Sequence, residues 1–292
     1  MSGPLIRQSH ARLLPLVLLA RALGAQATPP AKSPPASAPA ASAQTAADAV
    51  PAHRSFTVQS QALGEARLVN VHTPPGYRPS PAMRLPVLYM PDGGLDEDFP
   101  HVVHTVDSLI ALGAMRPVII VGIPNTERRR DLTGPTRVAS DSAIARRVGG
   151  SAAFRRFLRD ELIPAINVRY RTTNERAIIG ESLAGLFIVE TFLLEPALFD
   201  HYIALDPSVW WNNSALLDSI AARLAAFDAT PRTLYLASSN VGDIAGGTAR
   251  LADLLRASPP PGLTWAYEPR PDLTHATIFR ATKPAALVNA LR

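Results

Sequence analysis

The centre of the chain reads Arg176-Ala177-Ile178-Ile179-Gly180-Glu181-Ser182-Leu183-Ala184-Gly185, and the apolar residues Leu186-Phe187-Ile188-Val189 follow at once. A short apolar run that stops at a glycine predicts a buried strand, and apolar residues that resume at helical spacing predict a helix. Ser182 is then expected at the tip of a tight turn, where the small residues Gly180, Ala184 and Gly185 leave room for the backbone. Such a turn presents a serine hydroxyl beside the first N–H groups of a helix. The alternative is an ordinary helix-capping serine.

Continuous apolar runs alternate with amphipathic segments along most of the chain. The runs at 85–90, 117–123, 202–205, 233–237 and 263–267 predict strands, and the segments at 102–112, 154–168, 214–227, 246–256 and 276 onward predict helices. Residues 55–73 alternate apolar and polar, which predicts an antiparallel hairpin at a sheet edge. The chain is therefore expected to be an α/β protein with a mainly parallel central sheet covered by helices on both faces. A serine turn after a central strand narrows this to the α/β-hydrolase fold.

The first 53 residues differ in composition from the rest. Arg7 and Arg12 precede a short apolar run, and Ala25-Gln26-Ala27 offers a small-residue cleavage site. This order predicts a signal peptide over 1–27, and hence an exported protein, periplasmic or secreted, without stable membrane insertion after cleavage. Residues 28–53 are mostly Pro, Ala and Ser, which predicts a disordered linker. The α/β-hydrolase domain is then expected over 54–292.

Charge and cysteine content exclude several functions. The formal charge of +5 falls to +2 without residues 1–27, which contain three arginines and no acidic residue. The remaining arginines are scattered, so no basic stripe predicts nucleic-acid binding. The chain has no cysteine, which excludes disulfides, thiol catalysis and zinc sites built on cysteine. His101 and His104 form an H-x-x-H pair without an obvious third ligand, so no metal is expected.

The order of polar residues after Ser182 predicts a catalytic triad. In this fold the nucleophile precedes the acid, and the histidine comes last. Five of the seven histidines precede Ser182 and His201 opens the next strand, which leaves His275 as the base. Asp243 follows the predicted strand at 233–237 and is the expected acid. Asp272, three residues before His275, is the competitor.

An oxyanion hole is expected from two backbone N–H groups. Leu183 supplies the first as the residue after the nucleophile. The second is expected from Gly93 in the loop Asp92-Gly93-Gly94, because glycine allows the backbone to approach a ligand closely. The two tryptophans after the next strand, Trp210 and Trp211, are either the wall of an apolar acyl or aryl pocket or part of the core.

From about residue 55 onward the chain resembles the putative esterase family of α/β-hydrolases, and within it the branch with siderophore esterases and uncharacterised periplasmic hydrolases. Two positions depart from the family pattern: Glu181 stands where histidine is common, and Ala184 where glycine is usual. The segments that carry the resemblance are Pro86–Gly94, Val121–Thr126 with Arg130–Thr133, Gly180–Phe187, Asp206–Trp211 and the loop to His275.

The resemblance implies a serine ester hydrolase that needs no cofactor and acts on a small-molecule ester. By analogy with the siderophore esterases, Trp210, Trp211 and Arg130 would contact a substrate with several aryl groups. Two alternatives stay open: acyl transfer on the same fold, and a hydrolase-like binding domain without activity. The physiological ester is not specified by the sequence.

Overall fold

One eight-stranded sheet organises residues 49–292, which are the residues that the computed structural model describes. Along the sheet the strands follow the order β1-β2-β4-β3-β5-β6-β7-β8. The strands are β1 Arg54–Ser60, β2 Glu65–His72, β3 Leu85–Pro91, β4 Ile119–Ile123, β5 Thr172–Glu181, β6 His201–Leu205, β7 Arg232–Ser238 and β8 Leu263–Pro269.

The sheet is antiparallel at one edge and parallel elsewhere. Strands β1 and β2 form the predicted hairpin, and β2 pairs antiparallel with β4. From β4 through β3, β5, β6 and β7 to β8 every pairing is parallel. The carboxyl ends of these six strands therefore lie along one edge of the sheet, the edge where open α/β sheets bind their ligands.

Helices cover both faces of the sheet, as predicted. On one face, α6 packs with the helical segment 151–169, which contains one π-helical turn; on the other, α1 packs with α10. The helices are α1 Phe99–Ala111, α2 Arg128–Leu132, α3 Ala139–Ala143, α4 Ser151–Arg156, α5 Ile163–Arg169, α6 Leu183–Leu194, α7 Ala215–Asp218, α8 Ile220–Leu224, α9 Gly242–Ala257 and α10 His275–Leu291.

The segment at 214–227 departs from the single helix that its pattern predicts. Two short helices, α7 and α8, occupy it, after a tight turn at Trp211–Ser214. Asn212, Asn213 and Ser214 have positive φ angles of 51°, 53° and 60°. A run of left-handed residues cannot belong to a right-handed helix, and asparagine tolerates this conformation better than most residues. The polar run Asn212-Asn213-Ser214 therefore delays and shortens the helix.

The predicted signal peptide and the linker up to residue 48 lie outside the described residues. Within residues 49–292 no helix combines the length and the apolar character that crossing a membrane requires.

A buried ion pair joins the antiparallel edge to α2. The Arg67 side chain is 1% exposed, and it donates to Asp131 at 2.5 Å and to the Pro124 carbonyl at 3.0 Å. The rings of Phe154 and Phe157 lie 5.3 and 5.7 Å from its guanidinium carbon. Asp131 is equally buried, so each charge depends on the other for its solvation.

Replacing Asp131 with alanine should destabilise the protein strongly, because the buried charge of Arg67 then keeps, among residues 49–292, only its longer ion pair with Glu65, at 3.3 Å. We expect a loss of about 3–5 kcal/mol in the free energy of unfolding, measured by urea denaturation. Asp253→Ala is the control, since Asp253 is 75% exposed and pairs with Arg256 on the surface. That change should cost at most about 1 kcal/mol. Equal effects of the two substitutions would contradict the assignment.

Candidate active site

The predicted turn at Ser182 is present. Strand β5 ends at Glu181, α6 begins at Leu183, and Ser182 lies between them with φ 61° and ψ −120°. A side chain at Gly180 would meet the Ala184 methyl at 2.6 Å, and one at Gly185 would lie 3.0 Å from the Leu205 carbonyl oxygen. The backbone can therefore turn this sharply only with small residues at these positions. Because Gly180 lacks a side chain, the methyl group of Ala184 fits where glycine is usual in the family.

The Ser182 hydroxyl lies beside the loop that follows β6. Its Oγ is 3.5 Å from the Oγ of Ser208, and the Ser208 N–H donates to the Ser182 carbonyl at 3.1 Å. Leu183 is the first residue of α6, so its N–H has no acceptor within the helix. The hydroxyl thus lies at the positive end of a twelve-residue helix, next to a backbone donor.

His275 is held by a buried aspartate, Asp206. The first residue of α10 is His275, and its Nδ1 lies 2.6 Å from Asp206 Oδ2. Asp206 follows β6, is fully buried, and also accepts the N–H of Ser239 at 2.6 Å and its hydroxyl at 2.8 Å. The bond to Asp206 raises the pKa of His275 above its usual value, against the opposing effect of partial burial.

Asp206 replaces both sequence candidates for the partner of His275. Asp243, the predicted acid, lies exposed in the first turn of α9. Asp272 forms a two-pronged surface pair with Arg270 at 2.9 and 2.7 Å. The prediction of Asp243 is therefore wrong. The end of β7 contributes the Ser239 donors that hold Asp206, and the carboxylate itself comes one strand earlier, after β6.

The N–H of Gly93 is already engaged, contrary to the prediction that it completes an oxyanion hole. It donates to the Ile123 carbonyl at 3.1 Å. A side chain here would lie 2.2 Å from the Ile123 nitrogen. Glycine is thus required because the loop after β3 crosses the end of β4, and the close approach is to the protein's own backbone. The next N–H, that of Gly94, faces a Glu97 carboxylate oxygen at 2.7 Å.

Asp92 fixes the loop after β3 to the segment after β4. Its carboxylate accepts two bonds from Arg128, at 2.7 and 2.8 Å, and one from Asn125 at 2.5 Å. Asn125 also donates to Glu97 at 2.7 Å. Arg128 is close enough to His275 for its charge to lower the pKa of the imidazole slightly. This network holds Arg128 beside the site, and the carboxylate of Asp92 neutralises its charge.

Arg130 is engaged inside the protein, so the predicted direct contact with substrate is not supported. Its guanidinium donates to Glu65 at 3.0 and 2.7 Å and to Asp131 at 2.6 Å. The bond from Arg130 lowers the pKa of Glu65 to about 2. The arginine therefore ties β2 to α2.

The two tryptophans have different surroundings. Trp211 is 4% exposed, and its indole N–H donates to the Gly134 carbonyl at 2.8 Å, so it belongs to the core. Trp210 is half-buried, with its ring centre 6.2 Å from that of Trp211. Of the two, Trp210 is the one with surface available to a ligand.

His101 and His104 do not converge on a common point. His101 is bonded to Asp98 at 2.8 Å and packs edge-on against Phe279, while His104 is bonded to the Ala49 carbonyl at 2.8 Å. Nothing in this arrangement favours a metal at the H-x-x-H pair.

Glu181 brings a second carboxylate to His275. Its Oε1 lies 3.9 Å from His275 Nδ1 and is buried without a hydrogen-bond donor among residues 49–292. Burial raises the pKa of Glu181 to about 8, against the lowering effect of the His275 charge. The potential ligand atoms of Glu181, Asp206 and His275 all lie within 4.8 Å of one another. Because Nδ1 is used in the bond to Asp206, we assign the group as a charge cluster and not as a metal centre.

Comparisons with known proteins agree with this geometry. The family model described as Putative esterase matches residues 60–238. Ferri-bacillibactin esterase BesA of Bacillus subtilis is 31% identical over an alignment of 159 residues that covers 48% of this chain and 53% of that protein. Siderophore triacetylfusarinine C esterase of Aspergillus fumigatus is 30% identical over an alignment of 187 residues that covers 59% of this chain and 61% of that protein. The chain thus aligns with little more than half the length of these relatives.

A solved structure extends the likeness to most of the chain. The IroE-like serine hydrolase from Shewanella oneidensis superposes with a TM-score of 0.74 at 27% identity, over 82% of this chain and 79% of that one. This likeness and the sheet topology confirm the predicted α/β-hydrolase fold.

Proposed function

The chain belongs to the Putative esterase family, and from that premise we propose that it hydrolyses carboxylic esters with Ser182 as nucleophile. The observation that carries this proposal is the strained turn that presents Ser182 at the sheet edge where His275 is paired with a buried aspartate. A positive φ costs a serine on the order of 1–3 kcal/mol, and such strain persists mainly where function requires it. An N-capping serine needs no such conformation.

In the proposed mechanism Ser182 Oγ forms a bond to the ester carbonyl carbon while His275 Nε2 takes its proton. Asp206 holds the imidazole by its Nδ1–H and stabilises the imidazolium that results. The carbonyl oxygen becomes an oxyanion, which the Leu183 N–H and the helix end stabilise. The ester C–O bond then breaks, and the alcohol leaves with the proton from Nε2. In the second half of the reaction a water molecule attacks the acyl group on Ser182 and His275 takes the proton of that water. The bond to Ser182 Oγ then breaks, Oγ receives the proton from His275, and the carboxylic acid is released.

Asp206→Asn should lower kcat about 10²- to 10⁴-fold with little change in KM, because the aspartate carboxylate orients His275 and stabilises its charge. Turnover of p-nitrophenyl acetate by purified protein measures this. Ser182→Ala should abolish turnover, and adding the Asp206 change to it should have almost no further effect, since the three groups act as one unit.

Asp243→Asn and Asp272→Asn are the matched controls, because each changes an exposed aspartate near the same edge. Both should retain the kcat of the unsubstituted protein. A loss confined to Asp243→Asn would return the acid role to that residue and contradict the assignment of Asp206.

For the substrate we propose an ester of the siderophore type. The two aligned relatives are named for such esters. A cavity of about 240 Å³ beside Arg128 is lined mainly by arginines, and two of them, Arg129 and Arg146, have no carboxylate within ion-pair distance among residues 49–292. Iron-loaded catechol siderophores are anionic and aromatic, so exposed guanidinium groups and the accessible face of Trp210 suit them.

A panel of esters tests this choice. We expect a catechol trilactone, free or iron-loaded, to be hydrolysed with a higher kcat/KM than p-nitrophenyl acetate. Replacing Arg129 and Arg146 together with alanine should raise KM for the iron-loaded ester about tenfold and leave that for the neutral p-nitrophenyl ester unchanged. A preference for long-chain lipid esters would contradict the proposal.

We also propose that the protein is exported, on the strength of the sequence pattern at residues 1–27 alone. The mature protein should then begin near Thr28 and be recovered outside the cytoplasm. N-terminal sequencing of the protein from fractionated cells measures this. Recovery of Met1 from the cytoplasmic fraction would contradict it.

A further inference from the structure

We propose that Glu181 is a positioning residue that stabilises the imidazolium of His275 from the side opposite to substrate; the inference rests on the proposed esterase function. The mechanism above needs only Ser182, His275 and Asp206. The geometry places a second carboxylate, that of Glu181, at the same ring nitrogen that Asp206 binds.

The position of Glu181 follows from the fold. It is the last residue of β5 and directly precedes Ser182, so the turn that sets the nucleophile also sets this carboxylate. Its side chain is 19% exposed, and Oε1 is buried without a donor in the described structure. A buried carboxyl oxygen without a donor is costly in a protein interior. The cost is offset when a positive charge forms 3.9 Å away.

The charged groups that face Glu181 determine whether its carboxyl group is protonated. His275 on α10 and Arg128 on α2 favour its ionised form, whereas Asp98 before α1, Asp206 after β6 and burial favour the neutral form. With its pKa raised to about 8, Glu181 carries a proton at neutral pH while His275 is neutral. When His275 takes the proton of Ser182, the new positive charge favours ionisation of Glu181.

The effect on pH dependence has a definite sign. The charge of an ionised Glu181 raises the pKa of His275, together with the bond to Asp206 and against burial and Arg128. Below about pH 8 Glu181 is mostly protonated, so its replacement should change the pKa of His275 little there. As pH rises through about 8, the resting Glu181 ionises and increases the basicity of His275. Glutamine cannot ionise, so Glu181→Gln loses this increase in basicity.

The test compares Glu181→Gln with the unsubstituted protein between pH 5 and 9.5 on p-nitrophenyl acetate. We expect the acid limb of kcat/KM to stay in place, because Glu181 is protonated there, and kcat above pH 8 to fall about tenfold with KM changed less than twofold. The melting temperature should not fall, since glutamine carries no buried charge.

Glu175→Gln is the matched control. Glu175 lies on the same strand and also contacts a histidine, His201 at 2.9 Å, but at the other end of β5. Its replacement should leave the pH profile of activity unchanged. If Glu181→Gln kept both the profile and kcat of the unsubstituted protein, the inference would be wrong while the esterase function stood.

A second readout does not depend on turnover. In a Ser182→Ala background, the pKa of His275 can be followed by NMR of the imidazole ring. We expect the ring signals of His275 to shift a second time near pH 8, when Glu181 ionises, and this second shift to be absent once Glu181→Gln is added. A second shift that persisted with glutamine at position 181 would overturn the inference. Absence of ester hydrolysis by the unsubstituted protein would instead count against the proposed function.

Discussion

The sharp turn at Ser182 is the constraint on which the site depends. It requires small residues around it, because Gly180 faces the Ala184 methyl and Gly185 lies against the loop after β6. The same turn is bonded to that loop on both sides: the Ser182 N–H donates to Leu205, and the Ser182 carbonyl accepts from Ser208. Asp206 lies between these two anchor points. The turn that positions Ser182, the proposed nucleophile, therefore also positions Asp206, the proposed acid.

Three adjacent strands end in the same unusual way. The residues directly after β3, β5 and β6 are Asp92, Ser182 and Asp206, with φ angles of 56°, 61° and 48°. The positive φ angle of each of these residues turns the chain away from the sheet directly after the strand, without a longer loop. Because β3, β5 and β6 are neighbours in the sheet, the three polar side chains lie along one edge. Asp92 there binds Arg128, Asp206 binds His275, and Ser182 lies between the two strand ends.

The fold could be predicted because its central strands, such as β3 and β4, are buried on both faces and appear in the sequence as continuous apolar runs. The turn at Ser182, the proposed nucleophile, was predictable from local sequence, because the spacing of Gly180, Ala184 and Gly185 indicates it directly. The position of His275 followed from its place after the last strand. The aspartate that pairs with His275 could not be assigned in this way. Asp206 and Asp243 each follow a strand, and which strand end reaches the imidazole depends on tertiary packing. Asp206-Pro207-Ser208 directly after a buried strand was the signal available for it.

Two other predicted site residues have internal partners that the sequence did not indicate. Gly93 does allow a close approach, but the approaching backbone is that of Ile123. Arg130 does supply a positive charge, but its guanidinium binds Glu65, which lies on a strand 65 residues away in sequence. Residue types and their spacing indicate which backbone conformations and charges are present. They do not indicate which residue packs against a glycine or pairs with a charge, because that residue comes from a distant part of the chain.

The charges of the site are arranged along one direction. Asp206 and Glu181 lie on the Nδ1 side of His275, and the N-terminus of α6 lies on the side of the Ser182 hydroxyl. Ester attack through a serine creates a cation on the imidazole and an anion on the former carbonyl oxygen. The carboxylates stabilise the cation on the imidazole, and the N–H groups at the start of the helix stabilise the oxyanion. Arg128, bonded to Asp92, limits how far the carboxylates raise the pKa of His275. In the proposed mechanism the imidazole can therefore still give up its proton to the leaving alcohol.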